Sequence, residues 1–135
     1  QLLASGRVPV VAPLALDEQG ALCNVNADEA AAGLARGLYA EALVLLTDTD
    51  GVRGADGARL PRIGAADAER LIESGVVAGG MVPKVRTALA ALGREGQGAR
   101  VPGDGATRAV IADGGAPGAL RRALGDEDFG TRLEL

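Results

Sequence analysis

Histidine and tryptophan are absent from these 135 residues, and tyrosine, phenylalanine, cysteine and methionine each occur once. Without histidine there is no Ser-His or Cys-His nucleophilic system and no histidine-based zinc site. Two aromatic rings are too few to build a platform on which bases stack. Cys23 has no partner for an internal disulfide, so the expected compartment is the reducing cytosol. A net charge of −4 with no basic cluster argues against a nucleic-acid surface. The apolar run at 8–16 is interrupted by Pro9 and Pro13 and is far too short to span a bilayer, so no membrane partner is expected. The opening Gln1-Leu2-Leu3-Ala4-Ser5-Gly6-Arg7 lacks the basic start of a secretion signal. Lysine is nearly absent as well: Lys84 stands alone against thirteen arginines. The chemistry left must run on carboxylates, amides, backbone N–H groups, arginines and one lysine.

Strand and helix signals alternate along the chain. Val8-Pro9-Val10-Val11-Ala12 predicts a short buried strand, and 14–16 and 21–23 flank the polar Asp17-Glu18-Gln19-Gly20 as a hairpin. Ala27, Ala30, Ala31, Leu34, Ala35 and Leu38 recur at helical spacing and predict one buried face. The unbroken apolar run 42–46 predicts a strand covered on both sides, emptying into a polar, glycine-rich stretch at 47–57. Helices are expected at about 66–74, closed by Gly75, and at 83–92, with Pro83 at its first position. Residues 93–107 read as an exposed loop, 109–113 as a buried strand, 116–124 as a helix and 130–133 as an edge strand. This order implies one domain over 1–135, an α/β three-layer sandwich with a mainly parallel sheet.

Three constellations have chemical potential. Asn24-Val25-Asn26-Ala27-Asp28 bridges the hairpin and a helix; Asn26 as cap, Glu29 closing a capping box and Asp28 at the positive helix end explain most of it. Asn24 is left over, an amide free to meet a small acidic substrate. Thr47-Asp48-Thr49-Asp50-Gly51-Val52 follows a predicted buried strand, the edge at which open α/β sheets bind ligands; Asx turns would equally explain it. Val52 falls where an EF-hand needs a ligand, and neither a Walker A sequence nor an ordered G-x-G-x-x-G follows a strand. Gly79-Gly80-Met81-Val82-Pro83-Lys84 puts the one ammonium at a helix start, where the dipole repels it and where anions bind. A flexible helix entry with an exposed lysine is the plainer account. Together the three suit phosphoryl transfer, which asks for alignment and charge neutralisation rather than covalent chemistry.

These motifs, in this order and spacing, resemble the N-acetylglutamate kinases of the amino-acid kinase family, and Ala109 to Gly114 and Gly130-Thr131-Arg132-Leu133 resemble that family's last strands. The aspartate loop alone is shared with aspartate, glutamate and uridylate kinases. The resemblance implies MgATP-dependent phosphorylation of N-acetyl-L-glutamate to N-acetylglutamyl 5-phosphate in arginine synthesis. It implies Lys84 on the transferring phosphoryl group, Asp28 organising the catalytic lysines, and Asn24 on the substrate. Thr47, Asp48, Gly51, Gly79, Gly80 and Met81 would line the nucleotide site, with Mg2+ held mainly by the ATP phosphates. It covers only the carboxyl-terminal, ATP-binding half of the family's fold. The amino-terminal half, with its lysine-glycine-glycine loop, a second catalytic lysine and the usual dimer contacts, has no counterpart here. The isolated chain is therefore expected to be weakly active or inactive, and the full-length form a homo-oligomer. A kinase for a related acyl or carrier-linked amino acid, or a non-catalytic nucleotide-binding regulatory domain, are the alternatives.

Overall fold

The apolar runs around 44 and 110 become neighbouring parallel strands, because an unbroken run of β-branched and aliphatic residues can be buried on both faces of a sheet. In the computed structural model, which describes residues 2–38, 40–92, 106, 108–126 and 128–135, β3 (Ala42–Thr47) pairs with β5 (Arg108–Asp113) from Ala42↔Arg108 to Thr47↔Asp113. β6 (Thr131–Glu134) lies antiparallel to β5, and β4 (Arg62–Gly64) parallel to β6, giving the order β3-β5-β6-β4. Before them, β1 (Leu14–Leu16) and β2 (Leu22–Asn24) form a separate antiparallel hairpin, as expected from the polar turn between them.

Period-two alternation sorts the strand side chains between two cores. Leu43, Leu45, Ala109, Ile111 and Leu133 face a larger core shared with helices α1 (Ala27–Gly37), α2 (Ala65–Glu73) and α3 (Met81–Ala91). Val110 and Ala112 face a smaller one, closed by Ala119 and Ala123 of α4 (Ala119–Gly125) and by Phe129. Helices cover both faces, so the three-layer α/β expectation holds, with two of the three strand pairings parallel. Fully buried Ile111 and Leu133 each contribute about 1.5–3 kcal/mol of apolar burial.

Several expectations need correction. Residues 8–12 form no strand; Val8 and Val10 are 88% and 97% exposed. A buried strand needs a ladder partner and two covered faces, and no described strand lies beside this one. The final segment is not an edge: β6 sits between β5 and β4, and Thr131 and Leu133 are fully buried. β4, which forms the edge beyond β6, is three residues long and gives no period signal. Pro83 is the third residue of α3 rather than the first, still within the turn whose N–H groups have no helical partner. Gly75 does end α2 with φ +74, the conformation a C′ glycine supplies. The expectation for 93–107 lies outside the described residues apart from buried Ala106, which bridges to Leu92.

On α1 the buried stripe is rotated from the expected one: Ala32 and Ala35 are buried, while Ala27, Leu34 and Leu38 are exposed. Periodicity fixed the helix but could not choose among its many alanines; packing against α3 did. The stripe Asp28, Ala32, Ala35 follows i, i+4, i+7, so a carboxylate begins the face turned to the core. Asn26 caps the helix, its Oδ1 accepting the amides of Asp28 (2.9 Å) and Glu29 (3.2 Å). The reciprocal Glu29 bond of a capping box does not form. Asn26→Ala should therefore cost about 1 kcal/mol, read as a lowered denaturation midpoint with an unchanged m-value.

Candidate functional site

Lys84 begins a matching stripe on α3, with Ala88 and Ala91 at i+4 and i+7, both fully buried. Where α1 and α3 pack, the two stripes bring Lys84 Nζ to 2.9 Å from Asp28 Oδ2 and 3.2 Å from Oδ1. The side chains are 24% and 23% exposed, so the pair is partly desolvated yet open at one side. Each ion sits in the first turn of its helix. The dipole of α1 favours the carboxylate, and that of α3 disfavours the ammonium by about 0.3–1 kcal/mol. Asp28 supplies the counter-charge that holds the ammonium at this end of α3.

The glycine approach to α3 makes a tight turn. Gly79 takes φ +57, and the amides of Met81 and Val82 turn back on the carbonyls of Ala78 and Gly79 at 3.3 Å. These are long bonds, weak competitors for an incoming anionic acceptor. Gly79 and Gly80 are exposed and Met81 half-buried.

The aspartate loop leaves the carboxyl end of β3 beside that of β5, where Gly114 N–H donates to the Thr47 carbonyl at 2.8 Å. The Thr47 hydroxyl donates to Asp48 Oδ1 at 3.1 Å, and Asp48 itself is exposed. Asp50 is paired with the Arg53 guanidinium at 3.0 Å and so helps shape the loop. Gly51 is fixed from behind. Its φ is +141, and a Cβ there would lie 2.5 Å from Thr131 Oγ1.

Thr131 is the anchor that sequence reasoning missed. It is 0% exposed, accepts the Val52 amide at 2.8 Å and donates to the Leu60 carbonyl at 2.6 Å. The Arg59 guanidinium adds bonds to the carbonyls of Gly130 and Asp128. A loop following β3 is thus bolted to the last strand, far away in the chain. Thr131→Val keeps the shape but strands the Val52 amide and the Leu60 carbonyl. The expected cost is about 1–3 kcal/mol, measured by urea denaturation, with Thr131→Ser largely restoring stability.

The structure thus joins Lys84 with Asp28, and Thr47 with Asp48. No hydrogen bond or ion pair among the described residues links these two groups to each other. Asn24 ends β2 opposite Leu14 and is exposed, with no side-chain partner among the described residues. An open cleft of about 500 Å³ lies elsewhere, lined by Leu60, Ile63 and Leu71 with Asp56, Arg62 and Arg70 among its polar residues; none of the expected site residues lines it. Among the described residues no cluster of His, Cys, Asp or Glu could hold a metal ion. No described helix is long and apolar enough to cross a membrane.

Comparison with known proteins places the chain in a family. The model of the amino acid kinase family matches residues 1–101. An acetylglutamate kinase from Solibacter usitatus is 42% identical over 132 residues, 98% of this chain and 48% of that protein. One from Rubrobacter xylanophilus is 47% identical over 130 residues, 96% of this chain and 46% of that protein. The chain therefore spans just under half the length of these curated relatives. Among solved structures, an N-acetylglutamate synthase from Neisseria gonorrhoeae, complexed with coenzyme A and N-acetyl-glutamate, superposes with a TM-score of 0.81 at 29% identity, over 98% of this chain and 29% of that one. With the family model matching 101 of the 135 residues and the α/β architecture shared, the chain belongs to the amino acid kinase family.

Proposed function

We propose that the chain supplies the ATP-binding half of an acetylglutamate kinase, which phosphorylates the side-chain carboxylate of N-acetyl-L-glutamate to N-acetylglutamyl 5-phosphate. The observation that carries the reading is the Lys84–Asp28 pair, an ammonium held partly desolvated beside a glycine turn at a helix start. In the reaction a carboxylate oxygen attacks the γ-phosphorus of ATP in line and ADP leaves. Charge spreads over the equatorial phosphoryl oxygens, and a compact ammonium stabilises it without becoming covalently involved. Asp28 orients that ammonium and takes no proton. Asn24 contacts the acetylglutamate; Thr47, Asp48, Gly51, Gly79, Gly80 and Met81 line the nucleotide site. Mg2+ would neutralise phosphate charge, held mainly by the ATP itself. The amino-terminal half, supplying a second lysine and most of the substrate pocket, is needed for full activity, and the full-length form is a homo-oligomer.

The likeness to a synthase supports a second reading, a non-catalytic nucleotide-binding regulatory domain of the same fold. Titrating the isolated chain with Mg2+ and a non-hydrolysable ATP analogue separates the two in part. The kinase reading expects amide NMR shifts at 47–51 and 79–84 that Lys84→Ala weakens for ATP more than for ADP. No binding of either nucleotide would count against both readings.

A further inference from the structure

The far arm of the loop after β3 is held by one arginine. Residues 52–60 fold back on themselves: the Leu60 amide donates to the Val52 carbonyl at 2.8 Å, the Gly54 amide to that of Ala58 at 2.9 Å, and Arg53 bridges antiparallel to Arg59. The tip at 55–58 is exposed. A lone two-stranded turn is marginal in water and needs a tie to the rest of the protein. Arg59 provides one. Its planar fork donates through Nη1 to the Gly130 carbonyl and through Nη2 to that of Asp128, the latter at 2.6 Å. Its stem runs across Gly51, with Cδ 3.3 Å from the position a Gly51 Cβ would take; Thr131 Oγ1 lies 2.5 Å from the same point. Gly51 is thus set between Thr131 and the stem of Arg59.

The carbonyls that Arg59 grips belong to a well-braced turn. Asp126, just after α4, accepts the Asp128 amide on Oδ1 at 3.0 Å and the Phe129 amide on its carbonyl at 3.3 Å. Phe129 closes the smaller core, with the Arg122 guanidinium 4.1 Å from its ring centroid. A weak element is therefore tied to a fixed one. Thr131 is fully buried and holds Val52 from inside, so its loss costs stability. Arg59 is only half-buried, so its loss costs less stability and chiefly frees the returning arm. Lys84 is held separately, by Asp28, on α3.

We infer that Arg59 is a positioning residue for nucleotide binding, acting through Gly51 on Thr47 and Asp48 rather than by touching the nucleotide. The inference rests on the reading that 47–51 lines the nucleotide site. Its signature is weakened binding with the γ-phosphate contact intact. A loop that visits its binding geometry about a tenth of the time lowers apparent affinity about tenfold. ATP and ADP should suffer alike, because the ammonium assigned to the γ-phosphate stays in place.

The test titrates the chain with Mg2+ and either adenylyl imidodiphosphate, a non-hydrolysable ATP analogue, or ADP, and reads the Kd by calorimetry. Arg59→Ala should raise both values at least tenfold. Arg59→Met keeps the stem on Gly51 and drops the fork, so it should do the same without disturbing the packing. Guanidinium chloride, far below the concentrations that unfold the chain, should restore at least threefold in affinity to Arg59→Ala and none to the parent. Arg36→Ala, exposed in the last turn of α1, should leave both values unchanged. Affinities within twofold of the parent in both Arg59 variants, a loss confined to the ATP analogue, or a loss that guanidinium does not relieve would each overturn the inference alone. A parent chain that binds neither nucleotide sinks the nucleotide-site reading and the inference with it.

Discussion

Lys84→Ala should lower kcat by about 10²- to 10³-fold in the assembled enzyme while raising the KM for ATP only a few-fold. That range is typical for removing one preorganised group that meets charge developing in the transition state. Lys84 is tied to the protein by the Asp28 carboxylate and sits on a stripe whose other members, Ala88 and Ala91, already fill the interface with α1. Truncation therefore removes charge rather than packing. Its stability effect should stay near that of a partly exposed ion pair, within about 1 kcal/mol. If the pair only fastened α1 to α3, Lys84→Ala would shift the denaturation midpoint and leave turnover per folded molecule unchanged. Lys84→Arg discriminates further. A guanidinium can keep the pair with Asp28, but it replaces a compact point charge with a wide planar fork, so stability should recover and kcat should not. Asp28→Asn should retain nucleotide binding and lose turnover, because the ammonium is no longer held in one direction.

The second large effect is on stability. Gly130→Ala should lower the melting temperature of the isolated chain by about 10 °C, equivalent to about 3 kcal/mol for a chain of this size. Gly130 has φ +83, and a Cβ there would lie 2.6 Å from the Ile111 carbonyl oxygen and 2.8 Å from the Ala112 Cβ. The left-handed backbone alone costs an alanine about 1–2 kcal/mol. The contact adds a cost of similar size, because its neighbours belong to the central strand β5 and cannot swing aside. The strain also reaches the loop after β3, since Gly130 presents its carbonyl to Arg59 and precedes Thr131, which holds Val52 and Leu60. Gly125→Ala, with nothing within 4 Å of its Cβ, is the control and should be close to neutral. A Gly130→Ala melting temperature within 2 °C of the parent would show that β5 and β6 yield where the packing says they are rigid.

What the sequence revealed and what it hid divide along local and distant causes. The hairpin at 14–24, β3, β5, α2 with its Gly75 terminus and the Asn26 cap all follow from neighbouring residues, and all are present. The stripe of α1 was misplaced because six apolar positions within one alanine-rich helix offer several faces of similar area. Only α3, some fifty residues on, selects the one containing Asp28. Residues 8–12 carry a buried-strand pattern and lie exposed, because burial is a property of what covers a segment. The place of β6 between β5 and β4 was also illegible, since its four residues look the same at an edge or in the middle. Of the site, the helix-start position of Lys84 and the loop after β3 could be read directly. The ion pair with Asp28 joins residues 56 apart, and the Thr131 anchor residues 79 apart. No local pattern announces either meeting; only the family resemblance of the motifs pointed to the first. Gly51 and Gly130 were visible as glycines, but the reason each must be glycine lies in residues distant along the chain, Thr131 for the first and β5 for the second.

The most direct measurement combines this chain with the complementary part of a related acetylglutamate kinase, supplies MgATP and N-acetyl-L-glutamate, and traps acyl phosphate with hydroxylamine. The account predicts a hydroxamate formed only when both parts and ATP are present, falling at least a hundredfold with Lys84→Ala. Hydroxamate formation at the same rate with Lys84→Ala, in a complex that binds MgATP normally, would contradict it.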